Sequence, residues 1–94
     1  MTFADFQETI KSGQVPGNIP VYLKALWYDA AGKWDTAHNL IDHLEESNAC
    51  WVHAYLHRKE GDNNNARYWY NKAGRNISSV SLEEEWEQIA KALL

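Results

Sequence analysis

The chain has 94 residues, enough for one domain with one modest core. Its formal net charge is −4, and Lys and Arg are scattered without a basic stripe, which argues against nucleic acid or an anionic membrane as partner. A single cysteine, Cys50, rules out an intrachain disulfide and fits a reducing, cytoplasmic setting.

The opening stretch, Met1 to Lys11, lacks the basic head and continuous apolar core of a secretion signal, and no apolar run nears the ~20 residues that span a bilayer. Asn76-Ile77-Ser78 therefore reads as a chance glycosylation sequon. Five Trp and five Tyr are the compositional excess. In a small helical protein, large rings are first a way of gaining buried area from few residues.

The first predicted helix covers about 3–12. Thr2 with Asp5 resembles a capping box, Phe3, Phe6 and Ile10 recur at helical spacing, and Ser12-Gly13 ends the run. Gly and Pro make the following stretch a loop. A second helix starts behind Asn18 as N-cap, with Pro20 in its first turn, and runs to about Ala31. Gly32-Lys33 breaks the chain. A third helix follows from Trp34 to about Glu46, burying Trp34, Ala37, Ile41 and Leu44.

Ser47 or Asn48 is expected to cap the fourth helix, which carries almost no polar face until its end. A helix apolar nearly all round belongs in the middle of a fold. Gly61 ends it and Asp62 caps the fifth, which buries Ala66, Trp69, Tyr70 and Ala73 and leaves Tyr68 exposed. Ser81 and Glu84 form an S-x-x-E capping box for a last helix over about 82–93. Glu83, Glu84 and Glu85 sit in its first turn, where negative charge complements the helix dipole. Leu82, Trp86, Ile89, Ala90 and Leu93 make its one apolar stripe. No strand-like alternation is present, so the class is all-α with six helices.

Helices two and three look like helices four and five. Gly32 and Gly61 each end the first helix of a pair, Ala37 and Ala66 follow by five, and Ile41 and Tyr70 by four more, at a period of 29 residues (61 − 32). Gly-x4-Ala-x3-(large apolar) resembles the middle of the tetratricopeptide repeat, whose period is about 34. The small residue lets the two helices of a hairpin approach closely, and the large one fills the groove beside it. The W-x2-L-G opening and the closing Pro of that pattern are absent from both units. The stretch Leu56 to Asp62, followed by Asn65-Ala66, Tyr68-Trp69-Tyr70 and Ala73-Gly74-Arg75, also resembles a family of small tetratricopeptide-like proteins. These resemblances imply an antiparallel array of two hairpins, over about 19–46 and 48–74, between flanking helices that cap the two ends. They imply no activity.

Two constellations are candidates for function. In tetratricopeptide proteins the first helix of each pair lines a concave peptide-binding groove. By that resemblance Tyr22, Leu26 and Asp29 from helix two and Trp51, Tyr55, Arg58 and Lys59 from helix four would line it. Aromatic residues and Arg are what interfaces favour. The alternative is that helix one or six packs into the groove and fills it.

The second constellation is Cys50, His53 and His57, at i, i+3 and i+7 on one stripe of helix four, which His38, His43 or an acidic residue could complete. Cys and His ligate zinc, and His at i, i+4 can present two ligands. Ordinary packing explains the same residues: a lone Cys behaves as a small buried hydrophobe, and a buried His hydrogen-bonds across a helix interface. No metal or other cofactor is expected. A Gly-rich phosphate loop, G-x-S-x-G, H-E-x-x-H and C-x-x-C are all absent, so no catalytic residue is assigned. The sequence thus points to a small protein- or peptide-binding module that could also self-associate through its exposed aromatics, with a small-ligand or metal pocket at the His/Cys stripe as the alternative.

Overall fold

A computed structural model describes all residues, 1–94, and contains six helices and no strand: α1 (Phe3–Ser12), α2 (Val21–Ala30), α3 (Trp34–Ile41), α4 (Ser47–Lys59), α5 (Asn63–Ala73) and α6 (Leu82–Leu93). The chain is all-α, as its periodicity predicts. The breaks that end α2 and α4 fall where the backbone enters the left-handed region, at Gly32 (φ 81°) and Gly61 (φ 87°). A side chain is disfavoured there, which is why glycine recurs at that point of each hairpin.

Local chemistry departs from expectation at several ends. Pro20, not Asn18, is the N-cap of α2: its fixed φ of −59° hands the chain directly into the helix. Neither Ser47 nor Asn48 caps α4, because Ser47 is already its first residue. The third helix stops at Ile41, where Asp42 and His43 turn the chain so that Leu44 folds back against the core. The Thr2–Asp5 capping box is complete, with Asp5 N–H donating to Thr2 Oγ1 (3.1 Å) and Thr2 N–H to Asp5 Oδ2 (3.3 Å). At α6 the Ser81 hydroxyl accepts from Glu84 N–H (3.1 Å). Asp62 caps α5 through Asn65 N–H as predicted (3.2 Å).

The α2–α3 and α4–α5 hairpins have the most extensive helix–helix contacts in the molecule. Ala37 and Ala66, both buried, sit at the close approach, and Ile41 and Tyr70 fill the space beside them. Every residue of α4 from Ala49 to His57 is buried. Its apolar members Val52, Ala54 and Leu56 join Leu23, Leu26, Ile41 and Ile89 in one core.

The flanking helices do not cap opposite ends. The last helix lies on the face made by α2 and α4 and meets α1 there. Trp86 stacks on Phe6 (5.9 Å between ring centroids, 23°), tilts against Phe3, and donates its indole N–H to the Leu26 carbonyl (3.0 Å). The first helix is tied to α2 by the Trp27 indole N–H, which donates to Thr9 Oγ1 (3.0 Å).

Glu85 fixes the register of α6. It is 1% exposed, although its neighbours Glu83 and Glu84 face water. Its carboxylate accepts from Arg58 Nη1 (2.8 Å) and from the Tyr70 hydroxyl (2.5 Å), and Arg58 Nη2 also donates to the Val80 carbonyl. Burial and the Glu85 bond push the Tyr70 phenol well above its ordinary pKa, so it stays a donor. A buried charge stripped of its partner is costly. Glu85→Ala is expected to lower the unfolding free energy by about 3 kcal/mol in urea titration. Lys91→Ala, which removes the exposed i,i+4 pair with Glu87 and the ammonium's contact with the Phe3 ring, is expected to change it by less than about 1 kcal/mol.

Candidate functional site

The two constellations fall on opposite sides of α4. On the α2/α6 side, the open groove predicted for Tyr22, Leu26, Asp29, Trp51, Tyr55, Arg58 and Lys59 is largely filled. Leu26, Asp29, Trp51 and Tyr55 are buried, and Tyr22 and Arg58 are half-buried. The reason is the seating of α6, which places Trp86 over Leu26 and Glu85 against Arg58. Trp51 is covered from a different direction, by the Arg75 guanidinium 3.3 Å above its ring.

One part of the groove stays open. Between α1, α2, α4 and α6 lies a pocket of about 540 Å³, walled by Phe3, Tyr55, Leu82 and Trp86, with Gln7, Glu83 and Glu87 among its lining. Asp29 and Lys59 also line it. Asp29 accepts from the Tyr55 hydroxyl (3.1 Å) and from Lys59 Nζ (2.9 Å). Burial and the Asp29 charge drive the Tyr55 pKa far up, so the phenol stays protonated. Asp29, Tyr55 and Lys59 therefore satisfy one another at the floor of the pocket.

On the α3/α5 side, three histidines converge. His53 and His57 lie one turn apart on α4, and Trp34 at the start of α3 sets His38 opposite them. Ring centroids are 4.8 Å apart for His38–His53, 5.0 Å for His38–His57 and 4.8 Å for His53–His57. The Nε2 atoms of His38 and His53 are 3.1 Å apart. Two tryptophans hold the ring planes: Trp34 stacks on His38 (4.9 Å, 9°) and Trp69 on His53 (3.9 Å, 21°). Trp34 is itself fixed by its indole N–H, which donates to the Leu56 carbonyl (2.9 Å).

Carboxylates stand behind two of the rings. Glu60 Oε1 lies 2.5 Å from His57 Nδ1, and Asp42 Oδ2 lies 4.0 Å from His38 Nδ1. His53 Nδ1 is buried with no hydrogen-bond partner. Cys50 stays outside the cluster, its thiol directed to the Leu44 carbonyl (3.9 Å) and pushed up in pKa by burial. His43, the other candidate, is exposed and faces Asp42 (3.3 Å).

The sequence pairs His53 with His57 and offers His38, His43 or an acidic residue to complete them; of these His38 converges. Trp34 and Trp69 as ring walls, and Asp42 and Glu60 in particular among the acidic residues, are not singled out by it. The positions did carry a signal, since Trp34, His38 and Asp42 recur at i, i+4 and i+8, and Glu60 lies three residues beyond His57. Comparison of the chain with protein-family models, with curated proteins and with solved structures finds no match.

Burial, with smaller contributions from the His57 and His38 charges, lowers the His53 pKa from 6.5 to about 4, against an opposing pull from Asp42. Between these values the unfolded chain binds a proton that the folded one does not. The stability from a neutral His53 is therefore complete above about pH 6.5 and lost as pH falls toward 4, in all about 3 kcal/mol. In chelator-treated protein, His53→Phe is expected to flatten that part of the acid limb when melting temperatures are compared between pH 7 and 4.5. An unchanged difference in the variant would rule out His53 as its source.

Proposed function

We propose that this protein is a small interaction module of the tetratricopeptide-like type that receives a partner's side chain in the pocket between Phe3, Tyr55, Leu82 and Trp86. The observation that carries this reading is the pocket itself, which Asp29, Tyr55 and Lys59 of the expected groove line together with Phe3, Leu82 and Trp86. A site with paired ionisable groups and aromatic walls suits binding better than catalysis.

Charge indicates the partner's chemistry. Asp29 and Lys59 neutralise each other, and Glu87 is bridged by Lys91 (3.2 Å), which leaves Glu83 without a cation. The Phe3 ring already accepts the Lys91 ammonium at 5.1 Å, so an aromatic wall of this pocket tolerates a positive group. The fitting occupant is an Arg or Lys side chain flanked by apolar residues, on a peptide segment of another protein. No helix is long and apolar enough to cross a membrane. A buried free thiol at Cys50 suits the cytoplasmic setting that we include in this proposal.

Selection from a random peptide display library tests the reading. Enriched peptides are expected to carry a basic residue next to an aromatic or aliphatic one. Their binding should fall at least about 10-fold when Glu83→Gln and Glu87→Gln are combined, a loss of over about 1.4 kcal/mol, in a variant that still unfolds cooperatively. Peptides that enrich without a basic residue, or that bind the double variant equally well, would refute it.

A further inference from the structure

We propose that His38, His53 and His57 bind one divalent transition-metal ion through their ring nitrogens, with the fourth position left to water or an exogenous ligand. The site lies on the α3/α5 side of α4, away from the pocket above, and stands or falls independently of it.

Geometry is the first support. One ligand nitrogen from each ring falls within 4.8 Å of the others. Imidazole nitrogens on a tetrahedral ion, each about 2.0–2.1 Å from it, stand about 3.3 Å apart. The Nε2 atoms of His38 and His53 are already 3.1 Å apart, so closure asks mainly for an inward shift of His57.

Lone-pair accounting is the second. Glu60 Oε1 occupies His57 Nδ1 at 2.5 Å, so Nε2 is the ring nitrogen that remains for a ligand. His38 and His53 face each other Nε2 to Nε2 at 3.1 Å, where at most one hydrogen bond can form, whereas a cation between the rings can take a lone pair from both. A carboxylate behind the far nitrogen of a histidine is also the arrangement that orients metal ligands and raises their basicity.

Pre-organisation is the third. The His38 and His53 rings are each stacked on an indole, and Trp34 is anchored to a backbone carbonyl, so little freedom is left to lose on binding. The His38 side chain is 21% exposed and gives the ion a route in from solvent.

An all-imidazole set selects Zn²⁺, Co²⁺, Ni²⁺ or Cu²⁺ over Mg²⁺ and Ca²⁺, which prefer oxygen. A positioning residue differs from a ligand: Glu60 acts through His57.

The test is titration of chelator-treated full-length protein with Zn²⁺ by calorimetry, and with Co²⁺ by visible absorption. One ion per chain is expected, with a tetrahedral Co²⁺ spectrum and a melting temperature raised by Zn²⁺ but not by Mg²⁺. His38→Gln, the most exposed member, is expected to abolish the tetrahedral spectrum while leaving the metal-free melting temperature near that of the wild type. Glu60→Gln is expected to weaken binding about 10- to 100-fold and keep the spectrum. His43→Gln, which removes an exposed histidine outside the cluster, is expected to keep one ion per chain and the tetrahedral spectrum. The proposal is overturned by no stoichiometric binding to the wild type, by binding that survives His38→Gln, or by binding lost on His43→Gln, which would mark an adventitious surface chelate.

Discussion

A helix with no solvent face must be covered from every direction, and α4 imposes that requirement on the rest of this small protein. Its apolar side chains repay burial at roughly 1.5–3 kcal/mol for each large residue. Its polar side chains do not, and three of them draw partners from three different helices. Tyr55 takes Asp29 from α2, Arg58 takes Glu85 from α6, and His53 meets His38 from α3. Trp69 of α5 closes the last side by stacking on His53. The arrangement of five helices thus follows largely from what one helix cannot leave exposed.

The two polar sides of α4 are solved differently. Toward α6 the buried carboxylates Asp29 and Glu85 each have a cation and a hydroxyl within hydrogen-bond distance, and the result is a closed network of paired charges. Toward α3 the partners are alike: histidine faces histidine, and one ring nitrogen is left with no partner at all. A cluster of like acceptors is a poor way to stabilise a fold and a good way to hold something positive. That asymmetry separates a structural network from a candidate site within one 13-residue helix.

The hairpins were legible because their rules are local. Gly32 and Gly61 mark the turns, Ala37 and Ala66 mark the close approach, and the all-round apolarity of α4 marks the centre. Helix ends were less so. Leu44 continues the apolar spacing of α3 although the chain has already turned, since a residue on a loop can be drawn into the core as readily as one on a helix. Glu85 was overlooked: it lies at i+3 from Leu82 and i−4 from Ile89, on the apolar stripe of α6, but its partners Arg58 and Tyr70 come from other helices and a glutamate in a first turn reads as a dipole partner. The same docking decides that the groove is filled, and no repeat pattern specifies where a flanking helix lands. The histidine pair was readable from its i, i+4 spacing. Its convergence with His38 depends on how α3 crosses α4, which is tertiary information.

The stacking of His38 on Trp34 and of His53 on Trp69 has an optical consequence. A charged imidazole against an indole drains the excited state, whereas a neutral one leaves it emissive. Two of the five tryptophans therefore report, by their own fluorescence, on the charge state of the rings they cover. The protein carries a built-in dye at its least conventional cluster, and no label is needed to watch it.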